Sequence, residues 1–327
     1  MKKQLFLLLG IVAIALTLSA QDCTKELLAQ KPGTWKAGQQ GSIHNVSAAD
    51  LAKEKAVLAS IHKMVSSNYS PTGCQLLYGT VYGKYPLEGQ TYIADPYYYS
   101  MYILRYLCDR NSEDKSKYYV DISTTTTVNI VANAIYFLNA LYAANLPDDD
   151  FRGYFKLEER PVKKEGYYFL SKEKADPRAE IIEYRWLITY NDTLPFSYVS
   201  RKEYLLIQKK RLEKSILESP SEKAYSQKYF DKISEYLNQP ESELNQDAIC
   251  MWNDEERFNG FVEEATRGSF IAVKPNLSYY KKNLPKSSPQ FFTVIYKLSQ
   301  GEPVFEANIA AIKEAVDFAK LRGMLGK

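Results

Sequence analysis

Two histidines, His44 and His62, are all that the 327 residues contain, so chemistry that runs on imidazole has little to work with. No H-E-x-x-H, G-x-S-x-G, phosphate-loop or G-x-G-x-x-G stretch occurs. Their absence excludes the readily recognised zinc proteases, serine α/β-hydrolases, P-loop enzymes and dinucleotide binders. The four cysteines, Cys23, Cys74, Cys108 and Cys250, have no C-x-x-C spacing, which argues against a zinc site or a thioredoxin-like pair. No metal and no cofactor is expected. An excess of one charge is lacking too: the formal net charge is +3, and the densest basic run, Lys209-Lys210-Arg211, sits among Glu203, Glu213 and Glu218. A nucleic-acid binder gathers Lys and Arg into a patch or stripe, so no nucleic-acid partner is expected. There is no repeat of fixed period, which disfavours solenoids and propellers.

What is present begins with a leader. Lys2 and Lys3 precede fourteen uncharged residues from Leu5 to Leu18, followed by Ser19-Ala20-Gln21. This is the order of a secretory signal peptide over residues 1–20. A span of the hydrocarbon core needs about 20 apolar residues, so removal rather than anchoring is expected, with no transmembrane anchor left after cleavage. The large Leu18 fits the small-residue cleavage pattern poorly and leaves the cut uncertain by a residue or more. The short two-lysine start points to a bacterial periplasmic or secreted protein. In such an oxidising compartment all four cysteines are disulfide candidates, and three complete pairings stay open.

The remaining chain is 45% hydrophobic over the whole sequence, ample for a packed core. Residues 21–46 carry Pro32, Gly33, Gly38 and Gly41 without an apolar period and read as a linker or extended arm. Ser47-Ala48-Ala49-Asp50 opens a helix through Ser67, with Leu51, Leu58, Ile61 and Val65 on one face. Residues 75–110 are dense in Tyr, Leu and Val and read as strands, as do 117–122, 166–170 and 182–190. Phe196 to Val199 reads as a returning strand. Ser200-Arg201-Lys202-Glu203 opens a second long helix that ends before Pro220. Further helices are expected at 221–237, 241–251 and 304–321, the last with Phe305, Ile309, Ile312 and Val316 inward. Strands are expected at 270–273 and 291–298. Strands without regular alternation with helices give an α+β fold, an antiparallel sheet core packed with several amphipathic helices. A β-rich region, 47–199, with its N-terminal helix precedes an α+β region, 200–327, with one continuous domain as the alternative. The uncharged run 122–146 reads as a buried helix over 128–144 or a long strand, with a membrane-active segment as the rival; Asn129, Asn133 and Asn139 argue against lipid.

Three features carry candidate chemistry. Trp252-Asn253-Asp254-Glu255-Glu256-Arg257 joins carboxylates to a ring, the pattern that glycoside hydrolysis needs, although adjacent acids are more often solvated. Asp148-Asp149-Asp150 lacks the spaced oxygen ligands of a calcium loop. Tyrosine, at 27 residues, clusters in Tyr97-Tyr98-Tyr99, Tyr118-Tyr119, Tyr167-Tyr168 and Tyr279-Tyr280. In such pairs on a strand one ring faces inward and the next outward, and the outward rings suit sugars or protein partners. Trp252, Asp254, Glu255, Arg257, Tyr97 and Tyr99 are the candidate ligand-binding residues. The expected function is a non-catalytic binding or structural component of the cell envelope, with an envelope protein or glycan as partner. The alternatives are a carboxylate-dependent carbohydrate hydrolase and a membrane-interacting protein.

Overall fold

The computed structural model describes residues 22–41, 43–44, 46–83, 94–135, 140–144, 154–171, 180–252 and 258–327. The expected signal peptide, Asp148-Asp149-Asp150, and Asp254, Glu255 and Arg257 lie outside these residues.

The stretch read as an arm is built into the fold instead. It holds α1 (Lys25–Gln30), β1 (Thr34–Ala37) and β2 (Ile43–His44). β1 has four residues and turns only Trp35 inward, too short a pattern to announce a strand. The Ser47 cap forms as expected: its hydroxyl accepts the Asp50 N–H at 3.1 Å and starts α2 (Ala48–Ser66). Next come β3 (Cys74–Gly83), β4 (Tyr97–Cys108) and β5 (Tyr118–Val120).

The uncharged run divides into two strands, β6 (Thr127–Ala132) and β7 (Ala140–Ala144), so the helix expected there does not form. Val128 and Ile130 point to one core while Asn129 shares a 2.6 Å hydrogen bond with Ser100 on the neighbouring strand. Asn133 ends β6 in the left-handed region, φ 62°, with its side chain tied to Asp95, Ser288 and Gln290. β-Branched residues and cross-strand amides favour the strand. Among the described residues no helix is long and apolar enough to cross a membrane.

β8 (Tyr154–Leu157), β9 (Val162–Lys164), β10 (Tyr167–Ser171), β11 (Ile181–Ile188) and β12 (Phe196–Tyr198) follow. Ser200 caps α3 (Arg201–Glu218), and α4 (Lys223–Leu237) comes after a short turn at Pro220. The helix expected over 241–251 stops after α5 (Glu241–Leu244), because Ile249–Met251 pairs as β13 with β14 (Ser269–Pro275). After β15 (Phe292–Ser299), the last helix breaks into α6 (Pro303–Ala315) and α7 (Phe318–Met324). There Asp317 accepts the Lys320 N–H and caps the second piece. Phe305, Ile309, Ile312 and Val316 are all buried, as their spacing requires.

Two sheets result. The larger runs β1-β3-β4-β6-β15-β11-β10-β9 and is antiparallel except where β1 and β2 join β3 in parallel. The smaller runs β12-β14-β8-β7, with β13 also on β14. β12 therefore returns to the second sheet rather than along β11. β15, from the second sequence region, lies between β6 and β11 of the first, so both regions share one sheet.

Strand alternation explains the layers. Tyr97, Tyr99, Met101, Val128, Ile130 and Val294 meet Leu58, Ile61, Ile309 and Ile312 in a first core beneath α2 and α6. Leu187 and Phe291 meet Phe155, Leu157, Ile271 and Val273 in a second core between the sheets. Tyr154, Phe270 and Ala272 turn the other way, towards Tyr204, Leu205 and Ile233 of α3 and α4. The fold is α+β.

Candidate binding site

A concave site is formed where Cys23 to Leu28 meet the far end of β4. The Cys23–Cys108 disulfide joins positions 85 residues apart, with Cα atoms 5.6 Å from each other. The Cys23 N–H also donates to the Lys115 carbonyl at 2.8 Å. Thr24 caps α1 by accepting from the Leu27 N–H, and Leu28 is buried. On the other side β4 leaves the sheet as a hairpin closed by Asp109 N–H to Lys117 carbonyl at 2.9 Å. The Asp109 carboxylate accepts the Asn111 N–H at 3.1 Å, an Asx turn that holds Asp109 to Asn111 in place. β5 returns with Tyr119 opposite Leu107.

Between these walls lies a cavity of about 580 Å³. Leu28, Tyr106, Leu107 and Tyr119 supply its apolar lining; Lys25, Asp109, Arg110 and Asn111 supply polar groups. Tyr119 is 50% exposed and Tyr118 42%, whereas Tyr106 is buried. Tyr118 packs edge-on against Tyr106 at 5.2 Å and carries the Lys31 ammonium 4.7 Å above its ring. The volume falls within the range of small-ligand sites, about 300–1,000 Å³.

No family model, curated protein or solved structure matches the chain. The site therefore rests on its own geometry.

Of the residues singled out from sequence, Tyr97, Tyr99 and Trp252 lie within the described residues, and Trp252 belongs to a different core from the two tyrosines. Tyr97 and Tyr99 both face α2, fully buried. The Tyr97 hydroxyl donates to the Ser287 carbonyl at 2.9 Å, and that of Tyr99 pairs with His62 Nδ1 at 2.8 Å. Burial pushes both hydroxyls above their ordinary range and holds His62 below its own. They belong to the core and offer no binding surface. Trp252 lies in the third core, its ring against Phe270 and its carbonyl accepting from the buried Lys156 at 2.8 Å. Of the tyrosine pairs, Tyr118-Tyr119 is exposed, while Tyr279 and Tyr280 are both buried.

The four cysteines form one disulfide. Cys74 and Cys250 are buried thiols outside any bridge, in the first and third cores respectively, and so cannot meet. Burial pushes the Cys74 thiol up to about 12. Among the described residues no group of three or more His, Cys, Asp or Glu is arranged to hold a metal ion.

Sequence reasoning missed Glu54. It is fully buried beneath β3, accepts the Gly83 N–H at 2.8 Å through Oε2, and leaves Oε1 without a hydrogen-bond partner. Burial, then the charges of Asp95 and Asp50, raises its carboxyl to about 7. A signal existed: Glu54 stands at i+3 from Leu51 and i−4 from Leu58, within the apolar stripe of α2.

Proposed function

We propose that this is an exported protein of the bacterial cell envelope, periplasmic or secreted, that acts as a non-catalytic binding component. Its ligand occupies the cavity beside the Cys23–Cys108 disulfide. The observation that carries the reading is that cavity: a half-exposed tyrosine wall and convergent polar side chains, held by a covalent bridge. Such a lining is what small-ligand sites combine, apolar area with a few placed polar groups. The disulfide supports an oxidising compartment, in line with the leader-like residues 1–20.

The test has two arms. Expressed in a bacterium from Met1, the protein should appear in the envelope or medium with a new N-terminus near Gln21 or Asp22. Screened by thermal shift against glycans and peptides, the purified protein should be stabilised by at least one ligand, and Tyr119→Ala should remove that shift. An uncut cytosolic product refutes export. A shift that survives Tyr119→Ala refutes the site.

A further inference from the structure

Resting on that reading of the cavity, we infer that the ligand is a neutral saccharide, a short stretch of glycan rather than a peptide or a polyanion. The walls present the two surfaces a sugar ring needs. A pyranose has an apolar C–H face and a rim of hydroxyls. Tyr119, half of whose surface is open, offers a flat ring for the C–H face, backed by Leu107 directly across the strand pair. Each hydroxyl of the rim both donates and accepts, so neighbouring hydroxyls are best met by donors and acceptors side by side. Lys25 and Arg110 donate, Asp109 accepts, and Asn111 does both, all in one lining.

These groups are available. The side chains of Lys25, Arg110 and Asn111 make no hydrogen bond or ion pair among the described residues, and Asp109 spends only Oδ1, on the Asn111 N–H. Lys25 and Arg110 exceed Asp109 by one charge in the lining, and beside them Glu26, Glu113 and Asp114 exceed Lys115 and Lys117 by one, so no net field draws a polyanion. An extended peptide is held chiefly by a main-chain ladder along a strand edge. Here the charged and amide residues of the lining stand in the turn after β4 and at the start of α1 rather than along a strand. Saccharide contacts are individually weak, and the walls are fixed in advance by the disulfide, the Cys23–Lys115 bond and the Asp109–Lys117 bond, which lowers the ordering cost of binding.

The experiment is calorimetric titration of the purified, oxidised protein with tetrasaccharides of glucose, mannose, galactose and N-acetylglucosamine, with their uronic-acid counterparts, and with a set of neutral tetrapeptides. At least one neutral saccharide should bind. Its affinity should fall about tenfold or more in Tyr119→Ala, recover in Tyr119→Phe, and fall severalfold in Asn111→Ala. It should be unchanged in Tyr225→Ala, an exposed tyrosine on α4, and nearly independent of salt. Circular dichroism confirms that each variant is folded. Preferential binding of a uronate or peptide that still depends on Tyr119 overturns the saccharide inference and leaves the cavity as a binding site. Saccharide binding indifferent to Tyr119, or no binding by any probe, overturns both.

Discussion

Replacing Glu54 by glutamine should change how stability depends on pH. The carboxyl titrates near 7 in the folded protein against an ordinary 4.5, because burial disfavours its charge and Asp95 and Asp50 add repulsion. The shift is upward for an acid, so the folded state holds the proton more tightly than the unfolded chain. Its favourable contribution is therefore complete below pH 4.5 and is lost as pH rises to about 7. A difference of about 2.5 units at 1.36 kcal/mol each comes to about 3 kcal/mol of stability lost between pH 4.5 and 8. Glutamine keeps an acceptor for the Gly83 N–H but cannot ionise. Its own N–H group, facing the unpartnered Oε1 position, costs about 1–3 kcal/mol at every pH. The pH-dependent difference between the two proteins is thus the quantity to measure, through urea unfolding of both at pH 4.5, 6, 7 and 8. Glu54→Gln should gain about 3 kcal/mol on the native protein across that range, with an unchanged denaturant slope. Parallel pH profiles for the two proteins would refute the assignment of a raised, buried carboxyl.

Three other perturbations test the construction of the fold. Asn133→Ala removes the three hydrogen bonds that tie Asp95, Ser288 and Gln290 together and leaves in the left-handed region a residue without the polar side chain that lets Asn occupy it; chemical denaturation should show a loss of about 3–5 kcal/mol. Ser47→Ala removes the cap of α2 and should cost about 1 kcal/mol, with Ser47→Thr recovering most of it in thermal melts. Reduction of Cys23–Cys108 removes a constraint on the unfolded chain worth at most about 4–5 kcal/mol for a loop of this length. Hydrogen exchange should then show α1 losing protection while β1 keeps its own through pairing with β3; a uniform loss along the chain would contradict this local role.

The fold was legible wherever a local pattern and its environment agreed. The boxes at Ser47 and Ser200 name their helices because the cap is a contact within one turn, and they appear in the structure as hydrogen bonds to Asp50 and Glu203. The spacing of Phe305, Ile309 and Ile312 names a buried face for the same reason. The break before Asp317 escaped notice because an apolar stripe continues across it, and only the cap interrupts the backbone. The run 122–146 misled because a buried strand and a buried helix both appear as uncharged apolar sequence. What decided it was non-local: β6 is sandwiched between β4 and β15, whose residues lie near 100 and 295.

The site was less legible, and the reason lies in what alternation does and does not encode. Strand geometry separates Tyr97 and Tyr99 from Tyr98, but whether a face meets solvent depends on which layer covers it, and α2 covers that face of β4. Tyr118 and Tyr119 carry the same local signal on a three-residue strand at the rim of the sheet, bounded by a turn, and they stay open. The cavity that Tyr119 lines needs a second wall, which comes from Cys23 to Leu28, a stretch with no apolar period of its own. A disulfide can enforce that juxtaposition without any periodic signature, and four cysteines leave three pairings open. Only the separate burial of Cys74 and Cys250 in the first and third cores selects Cys23–Cys108, and with it the place where ligand contacts become possible.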